Sequence, residues 1–305
     1  MELINKLPKV QGSYRFNVDL SKTTWFQVGG KADVLFRPKD VEDLSFFLKN
    51  KEPDLKVTIL GVGSNLIIRD GGVSGVVIKL GKEFTNISHE NGVLTAGAGA
   101  LCANVALYSK LNALTNLEFL TGIPGSVGGA IAMNAGCYDG DVAQTLISAK
   151  VMTYAGEVRE VKNEEFEFSY RTNKLGRELI ILEGKFKVAK SSTEEVSAKI
   201  ASFNKKREES QPIRSKTGGS TFKNPTKTST QNIEGKKAWE LIDEAGARGL
   251  SVGDAQMSEK HCNFMINNGN ASAQDLINLG NKVIDLVKEK TGITLEWEIK
   301  IIGKN

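Results

Sequence analysis

Histidine is nearly absent from this chain: two of 305 residues, His89 and His261, far apart in sequence. With no H-E-x-x-H pair, a histidine-built metal site is excluded. A serine hydrolase is equally short of parts. No G-x-S-x-G elbow occurs. The segments "SFNK" (202–205) and "KTG" (216–218) stand only ten residues apart with no S-D-N between them, unlike the widely separated elements of penicillin-binding enzymes. A G-x-x-x-x-G-K-[ST] phosphate loop is missing too. The three cysteines, Cys102, Cys137 and Cys262, are odd in number and lack C-x-x-C spacing. They predict no disulfide framework and point to the reducing cytoplasm.

Charge of either sign is scarce in excess. Forty basic and 36 acidic residues leave +4, which predicts no nucleic-acid binding but suits a small anionic substrate. The basic cluster "NKKREES" (204–210) is short, mixed in sign and free of aromatics, and reads as a solvated helix face rather than a phosphate patch. The N-terminus shows no continuous apolar core of the signal-peptide kind. One uncharged stretch, 119–138, is long enough to cross a membrane. Its five glycines and Pro124 break it too often, so it predicts a buried loop or turn system.

What is present is strand after short strand. "DVLFRP", "KVTILGVGSNLIIRD", "GVVIKL", "GVLTAGAGA", "SAKVMTY" and "ELIILEGKFKV" are β-type runs punctuated by glycine, with helical segments such as "VEDLSFFLKN" and "LCANVALYSKLN" unevenly placed among them. The expected fold class is α+β, and the irregular alternation argues against a doubly wound sheet. Residues 189–210 read as a polar connecting helix with the last domain boundary near residue 200. Beyond it lie a helix in "GKKAWELIDEAG" and another after Ser272, which with Asp275 forms a capping box. Leu276, Leu279, Val283, Leu286 and Val287 share that helix's inner face, and Gly292 ends it. The closing run "ITLEWEIKII" (293–302) alternates. Ile293, Leu295, Trp297, Ile299 and Ile301 fall on one side, and Glu296, Glu298 and Lys300 on the other, as in a half-buried strand with a wet polar face.

"GAGALCA" (97–103) and "GVGSNL" (61–66) lack the third glycine of a dinucleotide fingerprint. The second still follows the strand "KVTIL", where a glycine turn can present N–H groups to an anion. Residues 119–141, "FLTGIPGSVGGAIAMNAGCYDGD", leave two readings open. Either the glycines allow tight packing of strand turns, or they cradle a cofactor's pyrophosphate and flat ring through main-chain N–H groups. Their irregular spacing, with Thr121, Ser126 and Asn134 as hydrogen-bonders, favours the cradle. "KTGGSTFKNP" (216–225) sets Ser220 behind two glycines with neither histidine near it in sequence.

"LGVGSNLIIRD", "TGIPGSVGGAIAMNAG", "FSYR", "GGSTFKNP", "KHCNFMIN" and "LEWEIKIIG" follow one another in this order. In this order they resemble the UDP-N-acetylenolpyruvoylglucosamine reductases (UDP-N-acetylmuramate dehydrogenases) over nearly the whole chain. The resemblance implies a two-part FAD-binding domain of the vanillyl-alcohol-oxidase type, residues 1–82 and 83–199, and a C-terminal α+β substrate-binding domain, residues 200–305. By similarity, Gly61, Val62, Gly63, Ser64, Asn65 and Leu66 bind FAD. So do Thr121, Gly122, Ile123, Pro124, Gly125, Ser126, Gly128, Gly129 and Ala130, with Asn134 and Ala135 nearby. NADPH reduces the flavin, leaves, and is replaced by UDP-N-acetylglucosamine enolpyruvate. Hydride then passes from flavin N5 to C3 of the enolpyruvyl group, and C2 gains a proton.

The resemblance gives Ser220 that proton-donor role, which needs no histidine because the C2 carbanion is basic enough to take a proton from a hydroxyl. It makes Arg171 a forked donor to the enolate-like carboxylate and gives Glu298 a share of that work, with a carboxyl held neutral by burial. Asn224 is the expected substrate contact beside Ser220. Arg214 and Lys216 are candidates for the diphosphate by charge and proximity, and equally ordinary surface cations. Asn173 stands where the family commonly has serine, and Lys300 where it has arginine and hence a fork. The short stretch between Arg171 and Ser220 resembles the branch without an extra tyrosine-bearing loop. A monomer is expected. An FAD-dependent oxidase on the same scaffold is the alternative, although neither histidine sits in a glycine-rich motif where flavin is tethered in many such oxidases.

Overall fold

Short β-type runs become sheets of two to five strands in the computed structural model, which describes residues 2–176, 178–225 and 235–305. The chain forms two compact units. One comprises Met1–Phe16, Val34–Gly61 and Gly75–Lys206, and the other Asn17–Asp33, Val62–Ser74 and Arg207–Asn305. Among the described residues no helix is long and apolar enough to cross a membrane.

In the first unit, five strands lie in the order Val158–Lys162, Leu146–Thr153, Leu179–Lys187, Val93–Gly97 and Ile87–Glu90. Every pairing is antiparallel, as an α+β fold requires and a doubly wound sheet does not. Gly184 of the central strand pairs with both Ala149 and Ala96. A Cβ there would lie 2.7 Å from Ile131, so the glycine lets the Val127–Ala132 helix settle on the sheet. Leu94, Val105, Ile131, Val151 and Phe186 form the core at this face.

A second core in the same unit gathers Val34, Phe36, Phe47, Val76 and Ile180. Phe36 and Phe47, with ring centroids 4.7 Å apart, join strand Lys31–Arg37 to helix Val41–Asn50. Asp40 caps that helix by accepting from the Asp43 N–H at 2.8 Å. The buried Asp43 carboxylate in turn accepts from the N–H groups of Gln11, Gly12 and Lys39.

The second unit is built around helix Ala273–Thr291, whose Leu276, Leu279, Val283 and Val287 are buried while Leu286 is partly covered. Ser272 and Asp275 make the expected capping box, and Gly292 ends the helix at φ +74°. The Asp70 carboxylate also accepts from the N–H groups of Ala273 and Gln274. It satisfies two orphan donors and opposes the positive end of the helix dipole.

Two expectations need correction. The uncharged 119–138 stretch is more ordered than a loop: Glu118–Gly122 is a 3-10 turn and Val127–Ala132 an α-helix. Six residues are too few for a helix to stand alone, so contact with the sheet decides its form. The closing run is not one strand, since only Lys300–Ile302 enters a ladder, parallel to Leu66–Ile68. The alternation survives, with Ile293, Leu295 and Ile299 buried. The ladder fails because the run changes partner. Lys223 and Glu298 N–H donate to the carbonyls of Glu296 and Thr221, and then Lys300 N–H donates to Asn65 O.

Candidate active site

In the first unit the glycines of 119–141 divide into two groups. A Cβ on Gly122 would lie 2.6 Å from Cys137 Sγ and 2.7 Å from the Tyr138 ring. On Gly140 it would press on Phe119, and on Gly128 on Ala98. These glycines permit close packing. Gly61 and Gly129 instead flank Ser126, with Cβ positions 3.1 and 3.6 Å from its Oγ. Ser126 heads the short helix, yet its hydroxyl caps nothing. The packing reading therefore holds at Gly122, Gly128 and Gly140, while Gly129 and the Ser126 hydroxyl leave the cradle reading open.

Asn134, 4% exposed, sits in the left-handed region at φ +48°. Its Oδ1 accepts from Ala143 N–H at 3.0 Å, and its Nδ2 donates to Ser169 O at 3.0 Å. That bond anchors the turn carrying Arg171. Ser169 and Thr172 pair across it, and Arg171 takes φ +57°, a conformation that costs a side-chain-bearing residue about 1–3 kcal/mol. Arg171 Nη2 donates to Gly136 O at 2.7 Å, and its guanidinium lies over the Tyr170 ring. Asn173 donates through Nδ2 to Ile131 O and Ala132 O, and its Oδ1 accepts from Leu175 N–H. Serine has one hydroxyl proton and cannot make that pair of donations. The departure at 173 thus closes the C-terminal end of the short helix.

The polar helix Thr193–Ser210 does more than face solvent. Tyr138 stacks on Phe203 at 4.5 Å and donates its hydroxyl to Phe203 O, while Thr121 donates to Asn204 Oδ1. No local pattern in the residues signals this cover. Beneath it, the buried Glu118 accepts from Thr115 Oγ1 at 2.6 Å and Asn116 N–H at 2.8 Å, with Lys199 Nζ at 3.3 Å. Burial alone would raise its pKa. The hydrogen bonds, Thr115 foremost, and the Lys199 charge outweigh burial and hold it below the usual value.

In the second unit, Ser220 lies in a strap held by pairing. Lys216 O accepts from Asn267 N–H, Ser220 bridges Phe264, and Thr221 N–H donates to Asn263 O. Gly218 presses on the Phe26 ring, and Gly219 takes φ +82°. The main agent is Asn263, 4% exposed. Its Oδ1 accepts from Phe222 N–H and its Nδ2 donates to Phe222 O, so a side chain completes the ladder. Asn267 acts similarly, donating to Phe26 O and accepting from Gly269 and Ala271 N–H. Both lie in "KHCNFMIN", whose order is legible in sequence but whose bonds are not.

Glu298 is joined to the same strap through its N–H to Thr221 O at 2.9 Å, and its carbonyl accepts from Asn65 Nδ2 at 3.2 Å. The 62–66 turn therefore braces the Glu298 backbone. Gly63 is required there: at φ +68°, a Cβ would lie 2.5 Å from Thr23 O. Asn224 Oδ1 accepts from Ala238 N–H at the start of helix Ala238–Glu244. Arg214, with its side chain 90% exposed, has Glu208 at 3.7 Å, the arrangement of a surface cation. His89 lies apart from these clusters and meets the Tyr108 hydroxyl. His261 instead supports the strap: its Nδ1 accepts from Asn263 N–H at 3.3 Å and its carbonyl from Phe264 N–H, and burial between Trp239 and Phe264 keeps its pKa low. No group of residues suited to a metal ion occurs among the described residues.

Two family models match the chain: an FAD-binding domain over residues 32–162 and the C-terminal domain of UDP-N-acetylenolpyruvoylglucosamine reductase over residues 211–302. Together they describe an FAD-dependent oxidoreductase. Reductases of that name from Rickettsia bellii and Anaplasma marginale are 48% and 47% identical, over 98% and 97% of this chain and 96% of each relative. The crystal structure of the Thermus caldophilus enzyme of this name superposes with a TM-score of 0.81 at 33% identity, covering 96% of this chain and 99% of that one. The chain belongs to the UDP-N-acetylenolpyruvoylglucosamine reductase family.

Proposed function

We propose that this protein reduces UDP-N-acetylglucosamine enolpyruvate to UDP-N-acetylmuramate, with NADPH as reductant and FAD as resident cofactor. The observation that carries the proposal is the reductase-family match along 98% of the chain, with serine, arginine and glutamate at the three expected positions. The local structure fits FAD. Ser126, whose hydroxyl caps nothing and which lies beside Gly61 and Gly129 in a stretch without charge from 119 to 138, suits a group gripped through that hydroxyl and the neighbouring backbone. Residues of 121–130 and 61–66 are the proposed holders, with Asn134 and Ala135 nearby, their N–H groups donated to Ile131 O and Ala130 O. The Asn134 side chain is already committed to Ser169 and Ala143.

When bound, FAD supplies the hydride, drawn from NADPH, that adds to C3 of the enolpyruvyl group. Arg171 stabilises the negative charge that develops on the carboxylate, its orientation fixed by the Gly136 carbonyl. Glu298 shares that charge from a backbone braced by Asn65 and Thr221. Ser220 delivers the proton to C2. Its strap is fixed on both sides, so the hydroxyl is placed before reaction rather than during it. Lys216 and Asn224 are the substrate contacts, and Arg214 contributes long-range attraction from the surface. The protein works as a cytoplasmic monomer, a setting in keeping with three free thiols.

The test is turnover. NADPH consumption by the yellow purified protein is expected to require UDP-N-acetylglucosamine enolpyruvate and to yield UDP-N-acetylmuramate. Consumption driven by oxygen, and indifferent to the enol ether, would establish an oxidase instead.

A further inference from the structure

Two buried side-chain oxygens among the described residues have no hydrogen-bond partner: Ser109 Oγ and Thr217 Oγ1. The two are not equivalent. Ser109 lies within helix Cys102–Leu111, where a hydroxyl can turn back to the carbonyl four residues earlier. Thr217 has no such recourse, because it lies in a non-helical strap. It is 6% exposed, and a hydroxyl so placed forfeits its hydration without replacement.

Its surroundings explain why it stays there. Lys216 is pinned through its carbonyl to Asn267 N–H, and Gly218 has no room for a side chain against Phe26. Gly219 turns the chain at φ +82° into Ser220. The strap is thus held immediately before and after Thr217, and the hydroxyl cannot escape to solvent by local rearrangement. An unpartnered donor maintained three residues from the proposed proton donor is best explained by a partner that arrives with a ligand.

We propose that Thr217 Oγ1 donates a hydrogen bond to an acceptor oxygen of a bound ligand, making it a binding residue of the Ser220 strap. The acceptor is a carbonyl or anionic oxygen, of a kind carried both by FAD and by the UDP-sugar enol ether. The inference rests on the reductase reading for the substrate arm, but not for the FAD arm.

Thr217→Val keeps the shape and removes the hydroxyl, and Thr217→Ser restores it. In the holoenzyme, FAD retention is read by flavin fluorescence on dilution, and substrate affinity by titrating the flavin absorbance with UDP-N-acetylglucosamine enolpyruvate. If FAD carries the acceptor, its Kd rises about tenfold in the valine variant, the loss of one hydrogen bond to a buried acceptor. If the substrate carries it, FAD retention is unchanged and substrate affinity falls about tenfold. In that case the substrate-free valine holoenzyme also melts roughly 2 °C or more higher, because the unpartnered hydroxyl is gone. Serine recovers wild-type binding in either case. Unchanged FAD and substrate affinities in Thr217→Val overturn the proposal and leave a hydroxyl served by internal water only. Wild-type protein that holds FAD but ignores the enol ether would refute the reductase reading, while the FAD arm still decides for Thr217.

Discussion

The 119–141 stretch and the 216–220 strap both set a serine among glycines, and only the strap adds to a packing glycine, Gly218 against Phe26, one needed for its backbone angle. In the first, most glycines are there because a neighbour occupies the space a side chain would need: Cys137 and Tyr138 at Gly122, Phe119 at Gly140, Ala98 at Gly128. In the strap, Gly219 has nothing near its Cβ position and is needed for its backbone angle. The means of fixing the proposed catalytic groups differ as well. Arg171 is held in a left-handed turn by side chains reaching to carbonyls, whereas the Ser220 strap is held by β-type pairing extended by Asn263. Glycine content alone therefore says little about where a ligand sits. What a Cβ would meet says much more.

Breaking the strap should have the largest effect on stability. Asn263→Ala removes both bonds to Phe222 and orphans two buried backbone groups, a loss of about 2–4 kcal/mol. Urea denaturation is expected to show it, with turnover reduced in proportion to the loosened Ser220. Retention of wild-type stability would remove Asn263 from its structural role.

The glycine-rich stretch offers a paired test. Gly122→Ala forces a methyl onto Cys137 and Tyr138 and should cost about 1–3 kcal/mol. Gly129→Ala has room near Ser126 and lies within a helix, where alanine is favoured by up to about 1 kcal/mol. It should leave the melting temperature unchanged or raised while weakening FAD retention about tenfold, since the added methyl would occupy the proposed cofactor side. If both variants behave alike, the division between packing and cradle glycines fails.

Smaller effects come from the supports of the first unit. Asn173→Ser loses at least one carbonyl contact at the end of helix Val127–Ala132 and should cost about 1 kcal/mol. Glu118→Gln should cost a similar amount near neutral pH, on the order of 1 kcal/mol. The folded-state pKa of Glu118 is lowered, so its contribution is fully present above the unfolded value of about 4.3 and is lost as pH falls through the lower folded value. Melting curves of the two proteins should therefore converge on acidification below about pH 4. A gap that persists in acid would mean that Glu118 acts by packing rather than charge.

Local physics made some of this legible in the residues. Ser272, Asp275 and Gly292 declare a helix because capping depends on residues within one turn, and the structure has that helix. Burial along 293–302 follows the alternation for the same reason. The partner switch near Ile299 does not, because it depends on two segments distant in sequence, Thr221–Lys223 and Asn65–Ile68. The Val127–Ala132 helix was hidden by Gly128 and Gly129, poor helix formers that this helix tolerates through contact with the sheet. Asn263 and Asn173 were out of reach as supports, since their roles exist only once distant carbonyls are in place. The roles proposed for Ser220, Arg171 and Glu298 come from family resemblance, and what the structure adds is how each residue is held.

The most direct test of the central claim is anaerobic stopped-flow. Wild type and Ser220→Ala are reduced with NADPH, mixed with UDP-N-acetylglucosamine enolpyruvate, and followed by flavin absorbance. Rapid reoxidation in the wild type, slowed about 10²–10⁴-fold in the variant with FAD retained, is the expected result. Equal reoxidation rates in the two proteins would contradict it and leave the proton to another group.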